Sequence, residues 1–534
     1  MATTRATRRA GATHEVFNQA PPLADYNPFD ADAALGEALA REGGSWGVDR
    51  VRDLAALTAS SEALEQARRA QRNIPVLRTH DRYGNRVDSV EYDAGMHWML
   101  RLGVERQVNT LPWREQRAGA HVVRAAMFHV FNQLDTGPCC PFSINYAAVP
   151  TMRQDRSLAA AWEERLTLSD YDRFAQAGMA FTEKQGGSDL RANTTYAEVA
   201  GDGWYELTGH KWFCTHPVFE VFFTTARTQD GVSCFVARRE HPGFRIQRLK
   251  DKLGGRSVAS SEVEYDRLPA QLLGEEGRGT AVIVEQLVYT RLDTLLSVAG
   301  MMRRALAEAV WHARHREAFG APLAEQPAMV NVLADLALES EAATAAALRI
   351  ARAFDSDDPR EAAFRRIALA VMKYWVCKRG AAMAAEALEC LGGNGYIEEA
   401  PMAQLYRDIE LGTVWEGSGN VIALDVLRAL GRDEQALPAL LGECEAARGA
   451  DARLDAHLAT LREELGSRED AQWRARYLVA SLALALQASL LVRHAPAAVA
   501  DAFCAARLGT RGLAFGELPV GCDGRAIVQR ALAL

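Results

Sequence analysis

The sequence has 534 residues, 49% of them hydrophobic and 24% charged, a composition that excludes a disordered or fibrous chain. Its net charge of -8 gives no whole-molecule attraction to nucleic acid or to an anionic membrane. The nine cysteines include no C-x-x-C pair and read as reduced thiols, not as a disulfide framework or a zinc site.

The first dozen residues, MATTRATRRAGA, are basic but lack the apolar centre of a secretory signal, so an N-terminal arm over 1–30 is expected. Over 31–179 apolar residues recur at three- and four-residue spacing, predicting an α-helical domain, with Asp32 and Ser60 as N-caps. Over 180–278 the pattern changes to short alternating stretches separated by turns such as Gly201-Asp202-Gly203 and Pro242-Gly243, predicting a β-barrel-like domain. Helical periodicity returns over 279–434 as a bundle, and 435–534 reads as an additional helical domain. The fold class is therefore α+β multidomain. The longest apolar run, Leu478 to Val492, is shorter than the ~18 residues of a membrane span, so a soluble, cytoplasmic protein without membrane association is expected.

No G-x-x-x-x-G-K-[ST], H-E-x-x-H or G-x-S-x-G occurs, and no G-x-G-x-x-G joins a strand to a helix. The twelve histidines are not at metal-ligand spacing, so no metal is expected. Three other segments carry chemistry. In Thr182-Glu183-Lys184-Gln185-Gly186-Gly187-Ser188-Asp189, adjacent glycines and hydroxyls suit a polar ligand edge, or simply a turn entering the β-domain. Gly209-His210-Lys211-Trp212-Phe213-Cys214-Thr215 offers a flat aromatic beside a hydroxyl, suited to a planar cofactor or to core packing. Trp415-Glu416-Gly417-Ser418-Gly419-Asn420 sets a carboxylate on a flexible turn ahead of a helix, as a positioned base or as a plain helix entry capped by Ser418 or Asn420.

Together these segments resemble the acyl-CoA dehydrogenase flavoprotein family. T-E-K-Q-G-G-S-D is similar to its first signature, and Glu389-Cys390-Leu391-Gly392-Gly393-Asn394-Gly395-Tyr396 to its second. G-H-K-W-F-C-T resembles the flavin-covering strand, and Arg316-Glu317-Ala318-Phe319-Gly320 resembles R-x-x-F-G. The opening T-H-E-V-F-N-Q-A-P-P-L, the wording W-E-G-S-G-N and about a hundred extra C-terminal residues resemble the AidB subfamily. Phe181, Phe213 and Gln404 depart from the family's usual residues.

The resemblance implies FAD as cofactor, held by Met179, Thr182, Gly187, Ser188, Phe213, Cys214, Thr215, Trp415, Gly417, Ser418 and Asn420. Arg316, Phe319, Gly392 and Gly393 are then FAD contacts across a subunit interface in a homotetramer. It also implies dehydrogenation of a short or branched acyl-CoA such as isovaleryl-CoA, with Glu416 as the base and Arg291 tuning it. Thr290 stands where some branched-chain members place their glutamate. The electron acceptor is not identified. Double-stranded DNA is a partner implied by the AidB resemblance, with Arg474, Arg476, Arg507 and Arg511 as candidates; read from the residues alone, a solvated face is favoured, because the C-terminal acids balance its arginines. Two alternatives stay open: a DNA-binding protective flavoprotein with vestigial turnover, or a flavin enzyme recruited to a non-CoA metabolite.

Overall fold

The computed structural model describes residues 13–467, 469–509 and 514–534; the basic first dozen residues and Arg511 lie outside them. Asp32 and Ser60 cap the helices Ala33–Leu39 and Ser61–Arg72, each accepting a hydrogen bond from the backbone N–H three residues on. The N-terminal helices are interrupted by a hairpin that helical periodicity does not predict, β1 (Val76–His80) against β2 (Arg86–Glu91). Its side chains are largely exposed, so no buried stripe announces it; its turn is set by the Asp81 carboxylate, which accepts from Tyr83 and Asn85 N–H.

The middle of the chain forms seven strands: β3 (Ala177–Ala180), β4 (Tyr196–Gly201), β5 (Trp204–Thr215), β6 (Val221–Thr228), β7 (Gly231–Arg238), β8 (Phe244–Leu249) and β9 (Ser260–Leu273). β6 pairs with β4, β4 with β5, β5 with β9 and β9 with β7, and β7 returns to β6, closing the barrel. β3 lies parallel to β6 and carries the chain in from the helices. The β5–β9 register shifts between Lys211 and Cys214. Lys211 and Cys214 point into the barrel interior, whereas Phe213 stands half-exposed between them.

The helix Gly279–His315 is the spine of the remainder. Leu292, Leu295, Leu296, Ala299, Met302, Ala305 and Ala309 are all buried, and so are the charged Asp293, Arg303, Arg304 and Glu308, so the helix is enclosed nearly all round. It packs with Pro327–Arg352 and Pro359–Cys390, and a Cβ at Gly380 would collide with Val298, so this glycine sets their close approach. The C-terminal helix Ala471–His494 is long and apolar enough to cross a membrane by length and composition, yet 78% of its apolar window is buried inside the protein. Its Leu482, Leu486 and Leu490 join the hydrophobic core of the bundle and the N-terminal helices. All nine cysteines are free thiols.

A separate apolar cluster joins the three parts. Ile144 and Ala148 of the helix Cys139–Met152, Val221, Phe223 and Val236 of the barrel, and Val282 and Ile283 of the spine form its centre. At its edge stand the half-buried Trp113, Met179, Phe181, Leu190, Leu287 and Trp415. The expected site residues Met179 and Trp415 therefore meet where barrel and bundle come together.

Candidate active site

The turn Trp415-Glu416-Gly417 precedes the helix Gly419–Arg432, with Ser418 at the N-cap position but making no side-chain capping bond. Glu416 has φ +57° and Gly417 φ +102°, so the carboxylate is carried on a left-handed residue. That conformation is costly for a side chain with a Cβ and persists only where the surroundings enforce it. The enforcement comes from two cations. Lys373 Nζ donates to Trp415 O at 2.8 Å and to Gly417 O at 2.5 Å, and Arg291 Nε donates to Glu416 O at 3.1 Å. Arg291 is held in turn by Asp425 at 3.0 Å.

The carboxylate itself accepts from Thr290 Oγ1 at 2.8 Å. Burial pushes the Glu416 carboxyl above its ordinary value, opposed by the Thr290 hydrogen bond and the charges of Arg291 and Lys373. A base of raised affinity for protons, held by a hydroxyl and set beside an apolar cluster, is suited to removing a proton from a weakly acidic carbon. The Trp415 indole N–H is buried without a partner among the described residues.

The first and second segments are stitched together. Trp212 N–H donates to Thr182 O at 2.8 Å, and a Cβ at Gly187 would collide with the Thr182 side chain, so the glycine turn folds tightly back on Thr182. Beneath them Lys211 Nζ lies 2.7 Å from Glu183 Oε1, both side chains fully buried. Glu183 also accepts from the N–H groups of Thr194 and Thr195. Burial would raise the Glu183 carboxyl, but Lys211 and these donors outweigh it and bring it down to about 2.

Met179, Thr182, Gly187, Ser188, Phe213 and Thr215 thus lie on one assembly at the barrel rim. The Thr215 hydroxyl is bonded to Ser260 at 3.0 Å, and Cys214 differs from the rest in being wholly buried in the barrel core. Arg316, Phe319, Gly392 and Gly393 are gathered elsewhere. Asn18 on the N-terminal strap accepts Arg316 Nη1 at 2.5 Å on its carbonyl, and its neighbour Gln19 accepts Asn394 Nδ2 at 3.2 Å. Phe319 is fully exposed, with φ +53°. Among the described residues no hydrogen bond or ion pair links this group to the Glu416 turn.

The three described arginines of the set marked for DNA stand in different surroundings. Arg507 is mostly enclosed against the buried Asp335 and Glu339, and Arg474 is ion-paired to Glu464. Arg476 is exposed, and the Tyr374 hydroxyl at 3.2 Å is its hydrogen-bond partner among the described residues. Sequence reasoning missed Lys373 and Asp425, which sit mid-helix in unremarkable strings; a lysine in an otherwise apolar stretch, Ile367-Ala368-Leu369-Ala370-Val371-Met372-Lys373, was the available signal.

Three family models cover most of the chain: the adaptive response protein AidB N-terminal domain over residues 18–173, the acyl-CoA dehydrogenase middle domain over 178–268 and the acyl-CoA dehydrogenase C-terminal domain over 277–431. The chain is 39% identical over 519 residues to AidB of Escherichia coli (strain K12), covering 94% of this chain and 95% of that one. It is 31% identical over 265 residues to the mitochondrial isovaleryl-CoA dehydrogenase of Oryza sativa subsp. japonica, covering 48% of this chain and 63% of that one. The structure of Caenorhabditis elegans ACDH-11 in complex with C11-CoA superposes with a TM-score of 0.85 at 25% identity, covering 100% of this chain and 95% of that one.

Proposed function

The chain belongs to the acyl-CoA dehydrogenase family, on its AidB side, and from that premise we propose that it is an FAD-dependent oxidoreductase acting on a short or branched acyl-CoA of the isovaleryl type. The observation that carries the reading is Glu416: a half-buried carboxylate on a left-handed turn, bonded to Thr290 and set against the apolar cluster where barrel meets bundle. The likeness to ACDH-11 in complex with C11-CoA supports a CoA thioester as the ligand class.

The residues present fit a flavin. The Thr182–Gly187 turn is folded tight, Phe213 presents a half-exposed ring next to it, and the buried Trp415 indole N–H lacks a partner among the described residues. Thr182, Ser188 and Thr215 would hold the polar edge, Met179, Phe213 and Trp415 the ring faces, and the backbone of Gly187, Cys214, Gly417, Ser418 and Asn420 would close around it. Bound FAD would supply a two-electron acceptor for the β-hydrogen.

The chain's own part is proton removal. An α C–H is a weak acid, so the base needs placement at the carbon more than strength. Glu416 Oε2 is fixed by Thr290, and its ionised form is favoured by Arg291 and Lys373 against burial. Titration of the FAD-loaded protein with isovaleryl-CoA under nitrogen tests this: bleaching is expected, and its undiminished persistence in Glu416→Gln would remove the assignment.

The proposal includes a cytoplasmic homotetramer, with Arg316, Phe319, Gly392 and Gly393 meeting the neighbouring subunit's FAD. The AidB relationship extends it to duplex DNA, for which Arg476 is the exposed cation among the described candidates. A colourless protein that stays colourless with added FAD would end the reading.

A further inference from the structure

The peptide groups around Glu416 are oriented by charge. In a trans peptide the C=O of one residue points opposite to the N–H of the next. Trp415 O and Gly417 O are both turned onto Lys373 Nζ, and Glu416 O is turned onto Arg291 Nε. The N–H groups of Glu416, Gly417 and Ser418 therefore face away from the two cations. Among the described residues no protein acceptor takes the Glu416 or Gly417 N–H.

Lys373 is among the largest fully buried side chains of the protein. Burial lowers the proton affinity of its ammonium, opposed by Cys377 and Glu416, and a buried charge of this kind is retained only where it is paired or well bonded. Its partners are two carbonyls rather than a carboxylate, so its positive charge stays uncancelled beside the carboxylate on the residue between them. We propose that Lys373 is a positioning residue for the reaction: it holds the left-handed turn that aims Glu416, directs the turn's N–H groups toward the thioester oxygen, and sets its uncancelled charge beside the Glu416 carboxylate. This rests on the assignment of Glu416 as base for its kinetic half only.

The groups that face Glu416 are Thr290, Arg291 and Asp293 on the spine helix, Lys373 on Pro359–Cys390, and Cys140 on Cys139–Met152. Lys373 is the one among them whose removal takes away both a charge and two backbone contacts. Its effect is readable without turnover. A carboxyl whose folded affinity for protons is raised stabilises the fold below its unfolded titration, and that contribution is lost as pH rises through its folded titration. The stability of the wild type relative to Glu416→Gln therefore falls with rising pH and levels off where Glu416 is fully ionised in the fold.

The experiment measures that levelling pH in three backgrounds: native Lys373, Lys373→Met and Lys373→Arg. In Lys373→Met it is expected about one pH unit or more higher, with Lys373→Arg returning it toward the native value. In the FAD-loaded protein the rate of isovaleryl-CoA bleaching should fall on the order of a hundredfold in Lys373→Met, from misplacement of the base, with its pH midpoint raised. Should Lys373→Met not fold, Lys373→Gln, which keeps a donor and loses the charge, is read the same way. An unchanged levelling pH in a folded, neutral variant overturns the proposal. Absence of bleaching in the wild type would instead overturn the substrate reading and leave the stability measurement standing.

Discussion

Thr290 Oγ1 donates to Glu416 Oε2 at 2.8 Å, joining two residues 126 positions apart in the sequence. The hydroxyl stabilises the ionised carboxylate against the burial that raises its proton affinity. A hydrogen bond to a charged group is worth about 1.5–3 kcal/mol. Thr290→Val, equal in shape but without the donor, should therefore raise the pH midpoint of acyl-CoA bleaching by about one unit. The base acts ionised, so the loss of rate should be greatest below that midpoint and vanish well above it. A pH-rate profile superimposable on that of the wild type would show that the hydroxyl does not govern the base.

The Glu183–Lys211 pair is a second buried electrostatic element, and it supports the glycine turn rather than the reacting atoms. Removing one partner leaves a buried charge uncompensated, at a cost of about 3–5 kcal/mol. Lys211→Met should lose stability of that size in denaturant unfolding. Glu183 titrates at about 2 in the fold against an ordinary 4.5, so its contribution is present above the ordinary value and lost as pH falls from there through about 2. The difference between wild type and Glu183→Gln should accordingly shrink in acid, and a constant difference over that window would count against this account.

How far these features could be read from residues alone follows from what a linear pattern can carry. The α–β–α order was legible because period-two and period-3.6 stretches alternate in long blocks, and Asp32 and Ser60 announce their helices by local capping chemistry. The hairpin Val76–Glu91 was not, because its strands are short and mostly exposed and turn only a few side chains such as Leu77 and Val90 inward, too few to mark a period in the sequence. The turn that carries Glu416 ahead of a helix was legible from its setting between Trp415 and Gly417. Lys373 and Asp425 were not, since their partners come from other helices and no spacing encodes a contact made only after packing. Arg507 looked like a surface cation; Asp335 and Glu339, which neutralise it, lie on a helix about 170 residues earlier.

Gln286 lies one helical turn before Thr290 on the spine helix, is fully buried, and has neither amide atom partnered among the described residues. An unsatisfied buried polar group costs about 1–3 kcal/mol, whereas an apolar side chain of similar shape does not. Gln286→Met should thus stabilise the protein by about 1–2 kcal/mol, measured by denaturant unfolding. A destabilised variant would show that the amide has a partner in solution.

The three described arginines of the DNA set should separate by their surroundings. Arg507 is mostly enclosed against the buried Asp335 and Glu339, so Arg507→Met should cost about 3–5 kcal/mol of stability and leave the salt dependence of any DNA retention unchanged in the folded protein. Arg474 is already neutralised by Glu464, and its removal should matter little to a polyanion. Arg476 is exposed beside the exposed Trp473 and carries no carboxylate partner among the described residues. If it meets a phosphate, Arg476→Ala should weaken duplex retardation at low salt and reduce the slope of log affinity against log salt by about one. An unaltered slope in Arg476→Ala, or a slope reduced instead by Arg507→Met, would place the contact elsewhere on the protein.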